Sequence, residues 1–239
     1  MRLVRAAVVL MALAGTAASA ERNPEVAADA DFFPMEKGTY WVYRGRVASG
    51  TAEGATVEWK SEILESAERG RFKMALLLGH PWDLPGRERD CYLLIADGNK
   101  KFYLHQPEDG CAIPEGEPGE DMTSDDDESL ILVMPAHEGD LFGRDAETAP
   151  RTDGMYAWSV ERIETASLAG IKGVAADVPR TEYVVAYRTL PDHQVATYVP
   201  GIGMTSYVYS HHGTVSEVNV KLVEFHAGTT TPRQEPAHR

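Results

Sequence analysis

Short runs of alternating apolar and polar residues recur from about residue 39 to residue 225, and almost nothing in the chain repeats with a helical period. Val57, Trp59, Ser61 and Ile63 alternate with Glu58, Lys60 and Glu62, the period-two signature of a half-buried strand. Aromatic and β-branched runs at 39–44, 72–78, 91–96, 101–105 and 130–134 carry the pattern through the first half. Further runs at 155–163, 182–188, 194–199, 202–209 and 215–225 carry it to the end. The connections are short, so most neighbours pair antiparallel. The expected fold is all-β, with roughly ten or eleven mostly antiparallel strands in a curved sheet, half-barrel or sandwich. One short N-terminal helix is the only helical candidate, over 23–33, where Asn23 caps and Pro24 suits the first turn.

The turn chemistry agrees with this reading. Asp97-Gly98-Asn99 separates two strand runs, as a hairpin turn does. Pro200-Gly201 suits the central positions of a type II turn. Ser210-His211-His212-Gly213 divides two alternating runs and reads as a hairpin tip, with Gly213 free to take positive φ. Adjacent residues of an extended chain point to opposite sides, so two consecutive histidines make a poor chelate.

The first twenty residues fix the compartment. Arg2 and Arg5 precede an apolar run, and Ala18-Ser19-Ala20 offers the small residues read by a signal peptidase. Residues 1–20 are expected to be removed, leaving 21–228 as one β-rich domain and 229–239 as a disordered tail. The apolar run is too short to span a bilayer, so no stable membrane span is expected after cleavage. Without Arg2 and Arg5 the basic residues fall from 23 to 21 against 37 acids, a formal charge of −16. That balance argues against nucleic acid and anionic membrane surfaces as partners, since both carry the same sign.

Only two cysteines remain, Cys91 and Cys111, and in an exported chain such a pair reads as a disulfide. The stretch 107–129 is rich in Pro, Gly and acid; it is either a divider between two halves or one long loop. A loose echo links "FFPMEKGTYWVYRGRV" with "LVMPAHEGDLFGRD", which raises a duplicated unit.

Three sets of residues bear on function. Trp41, Trp59, Trp82, Tyr103 and Trp158 could line an apolar cavity, or could be the cross-strand pairs of any large sheet. Trp82 sits in "HPWDLPG", 80–86, which reads as a binding loop or as a loop packed down by its tryptophan. Asp125, Asp126 and Asp127, in an acid set with Asp121 and Glu128, are the candidates for calcium, and His211 and His212 for another divalent metal, though the acids lack EF-hand spacing. A nucleophile elbow, P-loop, GxGxxG and HExxH are all missing.

"FFPMEKGTYWVYRG" and "ATYVPGIGMTSYVY" resemble the FPLxxGxxWxY-like opening and WYAPGVG-like closing motifs of a family of exported bacterial β-rich proteins. The resemblance implies a curved antiparallel sheet, similar to the half-barrels of periplasmic lipoprotein carriers, and no site residues. The leading expectation is therefore a non-enzymatic periplasmic or secreted domain binding an apolar small molecule, lipid or envelope protein. The alternatives are a metal-dependent hydrolase or calcium-binding module, and a scaffold without ligand.

Overall fold

A computed structural model of the chain describes residues 32–49, 54–86, 88–98, 100–107, 110–213 and 216–229. The expected signal peptide lies outside the described residues, as do most of the 23–33 helix candidate and the 229–239 tail. Within them the chain is all-β, with two single 3₁₀ turns, Pro81–Asp83 and Glu120–Met122, as the described helical elements.

Among the described residues the strands number twelve rather than the expected ten or eleven. They are β1 (Tyr40–Ser49), β2 (Ala55–Arg69), β3 (Phe72–Leu78), β4 (Cys91–Asp97), β5 (Lys101–His105) and β6 (Leu130–Val133). The series continues with β7 (Leu141–Phe142), β8 (Trp158–Thr165), β9 (Thr181–Arg188), β10 (Asp192–Val199), β11 (Gly203–His211) and β12 (Ser216–His226). The added strand, β7, is two residues long and too short to show any period.

All twelve form one antiparallel sheet in the order β6-β5-β4-β3-β2-β1-β12-β11-β10-β9-β8-β7. The sheet is nearly closed into a barrel, which replaces the half-barrel and the sandwich. Its first and last strands pair along ten registered positions, from Tyr40 opposite His226 to Ser49 opposite Ser216. The break lies in mid-chain, between β6 and β7, which approach without a ladder. There Gly143, at φ 61°, is so close to β6 that a Cβ would stand 2.6 Å from the Leu130 carbonyl oxygen. The two echoing segments each lead into the first strand of a six-strand meander, β1–β6 and β7–β12. The acidic stretch 107–129 connects β5 to β6, which are neighbours.

Alternation decides what fills the barrel. Trp41 and Tyr43 of β1, Ser61 of β2, Leu77 of β3, Leu94 of β4, Tyr198 of β10 and Met204 of β11 meet around one small gap of about 30 Å³. That is space for one or two waters at most. Phe33 enters from the N-terminal side, packing edge-on against Phe102 and Tyr198. Buried polar handles are satisfied: Trp41 Nε1 donates to the Ile202 carbonyl, and the Tyr43 hydroxyl to that of Met204, 2.9 Å away.

Some strands are buried on both faces, notably 74–77, 92–96 and 183–187. The cover over β4 and β5 is the 107–129 stretch, whose Ile113 and Met122 pack against the core. The Cys91–Cys111 disulfide ties it to the start of β4. On the other side Lys172 of the 166–180 loop bonds to β12: its N–H donates to the Val223 carbonyl and its carbonyl accepts from the Phe225 N–H, both at 2.9 Å.

Candidate functional site

After β3, Gly79 takes φ 76° and turns the chain into the barrel. Its carbonyl accepts from Trp59 Nε1 at 2.8 Å and from the Ser61 hydroxyl. A side chain here would meet the Lys60 carbonyl oxygen at 2.9 Å, so the position requires glycine. Residues 80–86 then form a plug. His80 and Leu84 are buried, and His80 Nδ1 accepts from the Trp82 backbone N–H at 3.2 Å, capping the 3₁₀ turn. This bond assigns the imidazole proton to Nε2, and burial lowers the His80 pKa to about 3.

Asp83 locks the plug from below. Its Oδ1 accepts from the Tyr92 hydroxyl at 2.6 Å and its Oδ2 from the Asp90 N–H at 2.9 Å. Burial raises its pKa to about 6, against the opposing pull of those two hydrogen bonds. The Tyr92 hydroxyl is raised in turn, first by burial and then by its contact with Asp83.

Trp82 is thereby presented at the barrel mouth, where its indole stacks on that of Trp158, with centroids 6.4 Å apart and 10° between planes. Trp158 in turn leans on Tyr187 at 5.1 Å. Glu128 ties these strands across the open seam: its carbonyl accepts from Trp158 Nε1 and its Oε2 from the Tyr187 hydroxyl, both at 2.8 Å. Tyr92, Leu104, His105, Gln106, Asp127, Ser129 and Gln194 complete the wall of a cavity of about 380 Å³. That volume falls within the range of small-molecule sites.

The expected site residues divide among several places. Trp82 and Trp158 come together in this cavity. Trp41 and Trp59 are in the packed interior, each spending its indole N–H on a backbone carbonyl. Tyr103 is buried, and its hydroxyl reaches Asp125 Oδ1 at 3.2 Å, while Asp125 also pairs with Lys101. Asp126 takes a backbone contact with Ser124 Oγ, and Asp127 Oδ1 caps the Ser129 N–H at 2.8 Å. His211 ends β11 and His212 begins the β11–β12 turn, far from the acids in the sheet order. His212 meets His193 edge-on at 4.6 Å; burial first, and then this neighbour, lowers the His193 pKa. Among the described residues no three His, Cys, Asp or Glu side chains converge as metal ligands. Among them, too, no helix is long and apolar enough to cross a membrane.

Tyr92, Tyr187 and Gln194 carry no signal as site residues in the sequence, and Glu128 stands out only as part of the acid run. Each comes from a different segment and looks like an ordinary strand or loop residue; only the closure of the sheet gathers them.

No family model and no curated protein matches the chain. It is similar to two solved structures. One is a candidate lipoprotein of Parabacteroides distasonis, with 13% identity and a TM-score of 0.35. The other is a candidate exported protein with a YmcC-like fold from Bacteroides fragilis, with 12% identity and a TM-score of 0.37. Each comparison covers 82% of this chain and 99% of the other. No property is carried from them to this chain.

Proposed function

We propose that this chain is an exported, non-enzymatic β-domain that binds a small amphipathic molecule at the barrel mouth, against Trp82. The observation that carries the reading is the cavity of about 380 Å³, where Trp82, backed by the buried Trp158 indole, stands beside polar groups. Aromatic faces supply contact area and a few placed polar groups supply orientation, the usual division of labour in ligand sites. The filled interior, with its gap of about 30 Å³, favours a compact ligand over an acyl chain threaded through the barrel. The carboxyl with the strongly raised pKa, Asp83, sits behind Trp82 and outside the cavity wall, where it supports the plug instead of meeting a substrate. Export rests on the signal-peptide pattern of residues 1–20.

Native mass spectrometry of the chain purified from a periplasm tests this. A non-covalent adduct is expected on the parent protein, lost in Trp82→Ala. A bare parent, or an adduct retained by Trp82→Ala, overturns the assignment.

A further inference from the structure

We propose that His193 and His212 form a two-histidine site for a divalent transition-metal ion, Zn²⁺ or Cu²⁺, on the outer face of the barrel where β10 begins and β11 ends. The site is separate from the barrel-mouth cavity and does not depend on the reading given to it.

Strand register brings the pair together. His193 of β10 stands opposite Ser210 of β11, and the His212 N–H donates to the Pro191 carbonyl at 2.6 Å. Pro191 and His193 are two residues apart on one side of the ladder, as are Ser210 and His212 on the other, so all four share a face. His193 and His212 are diagonal neighbours on it, within side-chain reach. Their rings meet with centroids 4.6 Å apart and 84° between planes. The shared face is the outer one. Gln194, the next residue, lines the barrel-mouth cavity and accepts from the Tyr207 hydroxyl at 3.3 Å, whereas Val208, on the side of Ser210 and His212, is 38% exposed. His211 therefore points the opposite way, on the side of its register partner Asp192, whose Oδ1 accepts from the Tyr209 hydroxyl. The two adjacent histidines are split between the faces, and the partner of His212 lies across the ladder.

Three properties fit this pair to a metal ion. The first is spacing: an ion bound by two imidazole nitrogens at about 2.0–2.1 Å sets the ring centres roughly 4.5–5 Å apart. Rotation about χ2, a broad torsion, turns a nitrogen of each ring to that ion without moving the backbone. The second is protonation. Burial, and then His212, hold the His193 pKa below its ordinary value, so its imidazole is neutral and carries a lone pair at neutral pH. The third is charge. Arg188, opposite His193 on β9, is paired with Glu161 at 2.6 Å, which offsets the cation beside the pair. The chain as a whole carries a formal charge of −14 and attracts cations.

The donor set selects the ion. Imidazole suits zinc, copper and nickel, while calcium takes oxygen ligands. Two protein ligands leave the remaining positions to water, so the site is open and exchangeable instead of closed and structural.

The test is calorimetric titration of the disulfide-bonded full domain with Zn²⁺, and with Ca²⁺ as control, for the parent and for His193→Ala, His212→Ala and His211→Ala. All three histidines are at least partly exposed, and urea midpoints verify that each variant folds. His193→Gln and His212→Gln replace any alanine variant that does not. The tightest Zn²⁺ equivalent is expected to weaken about tenfold or more in His193→Ala and in His212→Ala, and to be unchanged in His211→Ala and by excess Ca²⁺. It is also expected to weaken about tenfold or more from pH 7.5 to 5.5, since protons compete for both rings. Cu²⁺ bound to the parent is expected to show nitrogen hyperfine structure that is reduced in either single variant. A tightest equivalent that survives His193→Ala or His212→Ala, one lost in His211→Ala, or no Zn²⁺ binding by the parent overturns the proposal.

Discussion

Asp83→Asn is the substitution whose effect can be worked most fully from the structure. The Asp83 carboxyl is 7% exposed, and its pKa is raised from 3.8 to about 6 in the folded chain. The folded state therefore holds a proton between about pH 4 and 6 that the unfolded chain has released. Stability contributed by this group is fully present below the unfolded pKa and is lost as pH rises through about 6. A rise of that size corresponds to about 3 kcal/mol. At neutral pH the ionised carboxylate is thus a cost, tolerated because it fixes Tyr92 and the Asp90 N–H under the plug. Asparagine is isosteric and uncharged. Its carbonyl can accept from the Asp90 N–H, while the Tyr92 hydroxyl rotates to accept from its amide.

The measurement is urea unfolding of parent and variant at pH 8, 7, 6, 5 and 4. The stability difference, variant minus parent, is expected to be largest at pH 8 and to shrink by about 2 to 3 kcal/mol by pH 4, the value of the lost shift. Comparing the two proteins cancels His80, whose depressed pKa of about 3 acts in the opposite sense. Its contribution is present above the unfolded value near 6.5 and is lost as pH falls towards 3. A difference that stays constant across the range, or widens on acidification, refutes the burial argument for Asp83.

Three other changes probe the frame. Gly45→Val should abolish folding or cost several kcal/mol, because a Cβ at residue 45 would stand 1.9 Å from the Asn219 carbonyl oxygen in the β1–β12 ladder; parent-like thermal unfolding would contradict this. Replacing Cys91 and Cys111 with serine should lower stability by roughly 3 kcal/mol for a closed loop of 20 residues, and should speed hydrogen exchange in β4 and β5; an unchanged urea midpoint would show that the cover over these strands holds without the bond. Trp158→Phe keeps the ring stack but loses the donor to the Glu128 carbonyl, so it should cost about 1 kcal/mol and shift Trp82 emission; unaltered emission would mean the two indoles are not neighbours.

Most strands were legible because each is long enough for its alternation to repeat, as in Val57, Trp59, Ser61 and Ile63 of β2. The Gly98 and His212-Gly213 turns were legible for a related reason: turn chemistry is local. β7 was hidden by its two-residue length, and β8 starts at Trp158 instead of 155 because Tyr156 takes φ 58°, which interrupts extended chain. A bulge between Val160 and Arg162 then shifts the inward face of the strand. Closure into a barrel was not legible, since period two reports which residues share a face and not which strands meet. The same holds for the site. Trp82 and Trp158 stood out by type and Glu128 as part of an acid run, whereas Tyr187 acquires its role only by reaching Glu128 across 59 residues of sequence.

The pairing of β1 with β12 has a consequence for how the domain comes into being. Trp41 must find Phe225 before the barrel exists, a contact that closes a loop of nearly the whole domain. Synthesis delivers β1 early and β12 last, so one edge of the growing sheet waits with unpaired backbone groups until the chain is almost complete. The local hairpins from β1 to β6 can form in the meantime, but they cannot be sealed. Folding of this domain is therefore expected to be governed by a single late, long-range event, and its rate to be set by topology more than by the strength of any one strand pair.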